Sequence, residues 1–361
     1  METMREQDWE TDWEYWGSQE AGDGAYPGAE SVQDAAADAE EYVVDPDAPR
    51  ERAKRFLNNA NDNVKAKAHN AGGVIKDKAY SKAPNRLKNA SDLQLRFRSG
   101  FLYIAISVVC VLASDITTVI YLALVGAICA GEFYAMMRSD AKLVNEWMGI
   151  AAAICYPVFV FLWGVLGAMG VTVLFMMALV IWYVFWQRAR ITDVCLSFFG
   201  AAYMGLTLSC LILLRDTLEP PWGGVLLLVL LMSVWFNDVG AYLVGSRIGK
   251  HKMAPLISPK KSWEGFAGGL VVSVLFWCVI RMIPGVSMNI PEAIVFGIVC
   301  GAMSVLGDLV ESRIKRNVGV KDSGTIMPGH GGLFDRSDSL FTAAFAAFML
   351  LVVGGCVNFV W

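Results

Sequence analysis

The chain has 361 residues, 55% of them hydrophobic, and a formal net charge of −4. Soluble domains contain only ~45–50% apolar residues, so this composition excludes an ordinary soluble protein. With three histidines, and eight cysteines without a C-x-x-C spacing, a multi-histidine metal centre is excluded and neither a zinc site nor a disulfide framework is indicated. We therefore expect an integral membrane protein whose cysteines are small buried residues.

The first 98 residues differ from the rest of the chain. Residues 1–50 contain 15 acidic and two basic residues, whereas residues 51–98 contain 12 basic and four acidic ones. We predict a disordered acidic tail over 1–50, with docking on a partner as the alternative for its tryptophan-rich part. We interpret residues 51–98 as a basic juxtamembrane segment that contacts anionic lipid or only sets orientation. No signal peptide is expected, since no basic segment followed by an apolar core opens the chain.

Residues 99–361 are predicted to form an all-α polytopic membrane domain with the catalytic site. Its apolar runs approach the ~20 residues that cross ~30 Å of hydrocarbon. Nine such runs are predicted as transmembrane helices, near residues 99–114, 116–137, 147–167, 169–186, 194–214, 222–245, 263–282, 290–307 and 339–360.

The distribution of lysine and arginine orients these nine helices. With a cytoplasmic N-terminus, the inner loops hold 14 basic residues and the outer loops hold only Arg215 and Arg281. This asymmetry fits the excess of positive charge in cytoplasmic loops. Merging the first two runs would invert it, so we predict nine crossings with the N-terminus inside and the C-terminus outside.

Two charged stretches interrupt the apolar pattern on the predicted cytoplasmic side. One extends from Asn237 to Glu264, and the other from Gly307 to Asp338. Both mix acids with several cations, and two loops on one face can build one site.

Within the first stretch, Asp238 follows the apolar run Gly224–Phe236. An ionisable residue inside a span is costly unless it is paired or hydrated, so it is a functional candidate by default. A polar contact with Asn237 is the alternative. Glu132, in the second predicted helix, raises the same question.

Within the second stretch, Asp308, Asp335 and Asp338 are the candidate metal and catalytic carboxylates. Asp335 and Asp338 are three residues apart and would share one face of a helix. Carboxylates without histidine or cysteine suit a hard cation such as Mg²⁺. A helix cap and surface pair formed by Asp335 and Arg336 is the alternative.

The cations of both stretches are too numerous to serve orientation alone. Cations beside a carboxylate-bound Mg²⁺ are recurring parts of phosphoryl and nucleotidyl transfer. The turn from Pro328 to Gly332 exposes backbone N–H groups that can meet a phosphate, and His330 within it either shapes the turn or contacts substrate. These residues predict Mg²⁺-dependent transfer of a phosphorus group to a lipid at the cytoplasmic face. The cations concerned are Lys260, Lys261, Lys315, Arg316, Lys321 and Arg336.

The string S-R-I-K-R-x4-K-D-x-G-x2-M-P-G-H-G-G-L-F-D-R-S-D, from Ser312 to Asp338, resembles the signature of phosphatidate cytidylyltransferases. Between Gly240 and Gly265, the strings G-A-Y-x2-G-x3-G-K-H and S-P-K-K-S-W-E-G are similar to the same family. The resemblance covers roughly residues 95–361. Ser337 departs from it, since the family usually has an apolar residue or threonine there.

This resemblance implies the reaction of CTP with phosphatidate to give CDP-diacylglycerol and pyrophosphate, with Mg²⁺ required and K⁺ allowed as a companion ion. It implies a helical protein of the plasma membrane, often a homodimer, with a cytosol-facing site and no nucleic-acid partner. It implies Asp308 and Asp335 as metal ligands, with Asp338, Lys315 and Arg336 as further catalytic residues. The implied substrate-binding residues are Asn237, Asp238, Lys260, Lys261, Glu264, Ser312, Arg316, Lys321, His330 and Gly331.

Two other functions are considered beside this one. The first is another CTP-dependent enzyme: a cytidylyltransferase for a different lipid phosphate, or a lipid or polyprenol kinase, which would transfer the γ-phosphoryl group and release CDP instead of pyrophosphate. A transporter coupled through Asp238 and Glu132 would require inverted repeats with broken helices, and the sequence contains no such repeat.

Overall fold

The computed structural model describes residues 85–140, 142–324, 326–327 and 331–359. The predicted acidic tail and most of the basic segment lie outside these residues. The described elements are α1 (Asn85–Ala113), α2 (Asp115–Ser139), α3 (Glu146–Phe185), α4 (Ile191–Ala201), a π-helical segment (Ala202–Leu206), α5 (Thr207–Arg215), α6 (Trp222–Ile248), β1 (Lys252–Ala254), β2 (Ser258–Ser262), α7 (Trp263–Ile280), α8 (Ile290–Asn317) and α9 (Phe334–Val353).

The predicted helical membrane architecture is confirmed. In the described part of the chain, seven helical segments are long and apolar enough to cross a membrane, and the run from α4 to α5 counts as one of them. A shorter apolar helix, Arg98–Ala113, lies within α1. The only strands described, β1 and β2, form a short antiparallel hairpin between α6 and α7.

Helix α3 covers the region where two separate spans were predicted. It has 40 residues, but Trp163 and Gly164 leave helical geometry, with φ of +56° at Gly164. The hydroxyls of Tyr156 and Thr172 lie 3.0 Å apart, whereas 16 residues of straight helix would separate them by ~24 Å. The element therefore folds back on itself at Gly164 as two antiparallel limbs.

The charged stretch from Gly307 to Asp338 is helical at both ends, so the loop within it is shorter than the stretch. Helix α8 continues to Asn317, and α9 begins at Phe334. Hydropathy alone predicts the end of α8 too early, because the helix continues through charged residues. Their side chains contact one another one turn apart. One such contact is the ion pair of Glu311 with Lys315, at 2.6 Å.

Helices α6 and α7 approach closely because glycines face the contact. A Cβ at Gly265 would lie 2.7 Å from the carbonyl oxygen of Ala241, and one at Gly268 would lie 2.5 Å from the side chain of Val244. Small residues allow such backbone approach between membrane helices. This contact brings the end of α6 and the beginning of α7 together.

The opposite ends of the helices are joined by a buried arginine. Arg215, at the end of α5, donates to the carboxylate of Asp115 at the beginning of α2 and to the carbonyl of Val111 near the end of α1. The Arg215 side chain is 9% exposed. Three elements are thus tied at the end of the domain remote from the charged stretches.

Candidate active site

A cavity of about 740 Å³ opens where the ends of α6 and α8 meet the beginnings of α7 and α9. Carboxylates and cations dominate its wall beside the β1–β2 hairpin, so the two charged stretches do build one site. Its acidic lining residues are Asp238, Asp308, Glu311, Asp322, Asp335 and Asp338, and its basic ones are Lys252, Lys260, Lys261, Lys315 and Arg336.

Three of these carboxylates form one cluster. Each of Asp308, Glu311 and Asp338 offers an oxygen, and these oxygens all lie within 4.8 Å of one another. Glu311 follows Asp308 by three residues on α8, which places both on one helix face, and α9 supplies Asp338. The arrangement offers an oxygen-only ligand set, which suits a hard divalent cation.

Lys261 and Lys315 pair with oxygens of this cluster, but one oxygen of Glu311 has no donor among the described residues. Its side chain is 1% exposed, and its Oε1 atom has no hydrogen-bond partner among the described residues. A buried carboxylate oxygen without a donor is costly. A cation at the cluster would satisfy it, so the residues present fit a metal ion such as Mg²⁺.

Asp335 lies beside the cluster but is held by protein groups. Its Oδ1 accepts from Lys315 Nζ at 2.7 Å, and its Oδ2 accepts from the backbone N–H groups of Ser323 at 3.0 Å and Gly332 at 2.9 Å. Gly331 adopts φ of +91°, and a Cβ there would lie 2.6 Å from Asp335 Oδ2. A residue without a side chain is therefore required where the loop passes Asp335.

Lys261 pairs with the other end of the cluster. Its Nζ lies 2.8 Å from Asp308 Oδ2, while Ser312 donates to Asp308 Oδ1 at 3.2 Å. Lys260 and Asp238 also line the cavity. The β1–β2 hairpin and the end of α6 thus contribute charge to a site centred on α8 and α9.

Several predicted substrate-binding residues lie outside the cavity wall. Asn237 is buried and donates to Ser304 at 3.3 Å. Glu264 accepts from the backbone of Lys250 and His251, which fixes the entry to the hairpin. Their roles toward substrate stay predictions.

Two further predicted substrate contacts, Arg316 and Lys321, are also not among the lining residues. Arg316 donates to the carbonyls of Ile257 and Val320, and Lys321 is exposed. His330 lies outside the described residues.

Sequence reasoning missed Glu311, Asp322 and Lys252 as parts of the site. Glu311 carried a readable signal, because it stands three residues after Asp308 and four before Lys315 on one helix face. Asp322 also carried a signal, since it is a fixed position of the string from Ser312 to Asp338, whereas Lys252 carried none beyond its charge. The loop after α8 brings Asp322 to the cavity, and strand β1 of the hairpin brings Lys252.

The chain is similar in sequence to several proteins named phosphatidate cytidylyltransferase. The chain is 41% identical to a phosphatidate cytidylyltransferase of Staphylococcus epidermidis over 153 residues, which are 42% of this chain and 57% of that protein. It is 39% identical to one of Haemophilus influenzae over 168 residues, which are 44% of this chain and 57% of that one. It is 42% identical to one of Mycobacterium tuberculosis over 134 residues, which are 37% of this chain and 40% of the relative. The match spans about half the length of these relatives.

A model of the cytidylyltransferase family matches residues 94–353. This range contains every described element from α2 to α9 and the whole lining of the cavity. It confirms the family resemblance of the two charged stretches: the chain belongs to the cytidylyltransferase family.

Proposed function

We propose that the protein is a phosphatidate cytidylyltransferase, which transfers the cytidylyl group of CTP to phosphatidate and gives CDP-diacylglycerol and pyrophosphate. The observation that carries the proposal is the cavity, in which a carboxylate cluster faces five cations at the ends of apolar helices. The names of the relatives support the same activity.

The cluster of Asp308, Glu311 and Asp338 would hold the Mg²⁺ that this reaction needs. When bound, the ion would neutralise charge on the phosphates of CTP and polarise the α-phosphorus. Asp335 as a further ligand stays a prediction, since Lys315 and two backbone N–H groups already occupy its oxygens. A companion K⁺ ion also stays a prediction.

The reaction itself requires little acid–base chemistry. A phosphate oxygen of phosphatidate attacks the α-phosphorus of CTP, and the bond from that phosphorus to the oxygen bridging to the β-phosphorus breaks. Pyrophosphate leaves with the bonding electron pair. Because the attacking phosphate is already anionic, no strong base is needed, and the main barrier is the approach of two polyanions.

The cations of the cavity would lower that barrier. We expect Lys260 and Lys261, on β2, to bind the triphosphate. We expect Lys315 of α8 and Arg336 of α9 to hold the lipid phosphate or the departing pyrophosphate. Fixed charges in such positions stabilise the developing charge without reorganising during the reaction.

An aromatic part of the cavity wall suits the lipid substrate. Tyr242 and Phe266 line the cavity, and Tyr242 is 73% exposed on the apolar surface of α6. Acyl chains could remain in the bilayer on this side while the head group reaches the carboxylate cluster.

We also propose nine membrane crossings with the site facing the cytoplasm of the plasma membrane. The number nine counts two crossings by the limbs of α3 and one by the apolar part of α1. The six other spans supply the rest. The 14-to-2 distribution of basic residues supports the orientation. Homodimer formation stays a prediction from the family.

The test is an assay of the purified protein with phosphatidate and CTP labelled at the α-phosphorus, with and without Mg²⁺. Mg²⁺-dependent label in the lipid fraction is expected. Label only in soluble CDP, together with transfer from γ-labelled CTP to lipid, would instead identify a lipid kinase.

A further inference from the structure

Glu132 of α2 contacts the beginning of α9, about 200 residues later in the chain. Its Oε2 accepts from the backbone N–H of Phe334 at 2.8 Å, and its Oε1 accepts from that of Leu333 at 3.0 Å. Oε2 also accepts from the hydroxyl of Ser323 at 3.1 Å. The side chain is 5% exposed, so these three donors satisfy a buried carboxylate.

These donors are groups that α9 cannot satisfy by itself. The first N–H groups of a helix have no partner within it, and Leu333, which precedes α9, makes no side-chain cap. A negative charge at this end also interacts favourably with the helix dipole. Glu132 therefore acts as the cap that the local sequence lacks.

Glycines on both sides of the preceding loop leave room for the carboxylate. A Cβ at Gly324 would lie 2.5 Å from Glu132 Oε1, and a Cβ at Gly332 would lie 2.4 Å from Glu132 Oε2. The carboxylate thus occupies the space where the two ends of the loop converge. It contacts both described ends of this loop as well as the beginning of α9.

We propose that Glu132 is a positioning residue for the active site, an inference that rests on the proposed function. The groups that it holds are adjacent to those that serve the cavity. Ser323, whose hydroxyl donates to Glu132, donates its backbone N–H to Asp335. Phe334 directly precedes Asp335 and lies one turn before Asp338. Glu132 sets where both carboxylates stand relative to α8, without touching substrate.

This role accounts for an acid that the transporter interpretation assigned to ion coupling. The carboxylate faces donors of the same chain and does not line the cavity. Its charge supports the geometry of α9.

The test is Glu132→Gln in the full-length protein. The amide keeps the size of the side chain but replaces one acceptor oxygen with a donor, so at least one N–H of α9 or the Ser323 hydroxyl loses its partner. We expect kcat to fall ~10- to 100-fold, which is the loss typical of residues that orient the ligands of a metal site. The KM for CTP should change by less than about threefold.

Asp193→Asn is the matched control. Asp193 is 2% exposed, and its carboxylate accepts from the backbone N–H of Arg190, just before α4, and from that of Leu143, between α2 and α3. It is a buried helix cap and is not a lining residue of the cavity. We expect it to lower the melting temperature as much as Glu132→Gln does while leaving kcat within about twofold. An equal loss of kcat in both variants, or none in Glu132→Gln, would overturn the proposal.

Two further measurements keep the outcome decisive. Ser323→Ala removes one donor and retains the carboxylate, so it tests the same contact if Glu132→Gln does not fold, and we expect a smaller loss of kcat.

Hydrogen exchange of the peptide covering residues 331–337 needs no activity. We expect it to be at least ~10-fold faster in Glu132→Gln than in the wild type or Asp193→Asn. Unchanged exchange would refute the positioning role, whereas wild-type protein that labels no lipid would refute only the proposed function.

Discussion

Lys315 of α8 and Asp335 at the beginning of α9 form an ion pair of 2.7 Å, and both side chains are nearly buried, at 11% and 8% exposed. The same ammonium lies 2.6 Å from Glu311 Oε2. One cation therefore stands between a member of the carboxylate cluster and the carboxylate next to it. It joins the two helices that build the centre of the site.

Replacing Lys315 by methionine should damage both stability and turnover. Two buried carboxylates would lose their cation, and breaking a buried pair costs about 3–5 kcal/mol. Loss of a preorganised cation at the reacting phosphates should lower kcat at least ~100-fold. Thermal unfolding in detergent and the labelled-CTP assay measure the two effects.

Arg313→Met is the control for this variant. Arg313 lies on the same helix, is exposed and does not line the cavity. It should leave both quantities close to the wild type. A Lys315→Met protein with wild-type turnover would remove Lys315 from the proposed mechanism.

Glu311→Gln and Asp335→Asn should respond differently to Mg²⁺. Because Glu311 Oε1 has no partner among the described residues, its loss should raise the Mg²⁺ concentration for half-maximal activity at least ~10-fold. Asp335→Asn should lower kcat through Lys315 and the loop before α9, with a smaller change in the Mg²⁺ requirement.

Titration of activity with Mg²⁺ in both variants decides which acids bind the metal. Glu146→Gln provides a control, since Glu146 pairs with Arg138 at 2.8 Å away from the cavity. A larger change in the Mg²⁺ requirement for Asp335→Asn than for Glu311→Gln would restore Asp335 as the ligand that the family resemblance implied.

The sequence predicted the helical membrane class and the meeting of two charged stretches, because hydropathy and charge clustering are local properties. It also placed Asp335 and Asp338 on one helix face, and α9 confirms this. Which acids stand together could not be predicted, since Asp308 and Asp338 meet only through the packing of α8 against α9. The hydrogen bonds between Glu132 and the beginning of α9 could not be predicted either, because the two are about 200 residues apart in the sequence.

Ser337 illustrates the same limit at a single residue. It departs from the family pattern, and its hydroxyl lies 3.3 Å from that of Tyr103 in α1. The polar side chain is buried against a polar partner, which offsets the cost of burying it. A sequence alone does not reveal that partner.

Arg215→Met should destabilise the domain without changing its chemistry. Its guanidinium donates to Asp115 and to the carbonyl of Val111, far from the cavity lining. Loss of these contacts should cost about 1–3 kcal/mol, partly because the Val111 carbonyl loses a donor. We expect a lower melting temperature with kcat per folded molecule unchanged.

A double-mutant cycle with Asp115→Asn tests the contact itself. If the pair interacts as described, the double variant should lose less stability than the sum of the single variants. Strict additivity would show that Arg215 acts through the backbone carbonyl alone.

Gly167→Ala should weaken the fold-back of α3, whereas Gly170→Ala should not. A Cβ at Gly167 would lie 2.0 Å from the carbonyl oxygen of Phe159 and 3.1 Å from the backbone nitrogen of Val160, so the two limbs would have to separate. Overpacking of this kind costs about 1–3 kcal/mol. At Gly170 a Cβ meets nothing within 4 Å, and alanine favours the helix by up to ~1 kcal/mol. Melting temperatures of the two variants in detergent give the comparison. Equal stability would contradict the close approach of the limbs, and with it the counting of α3 as two crossings.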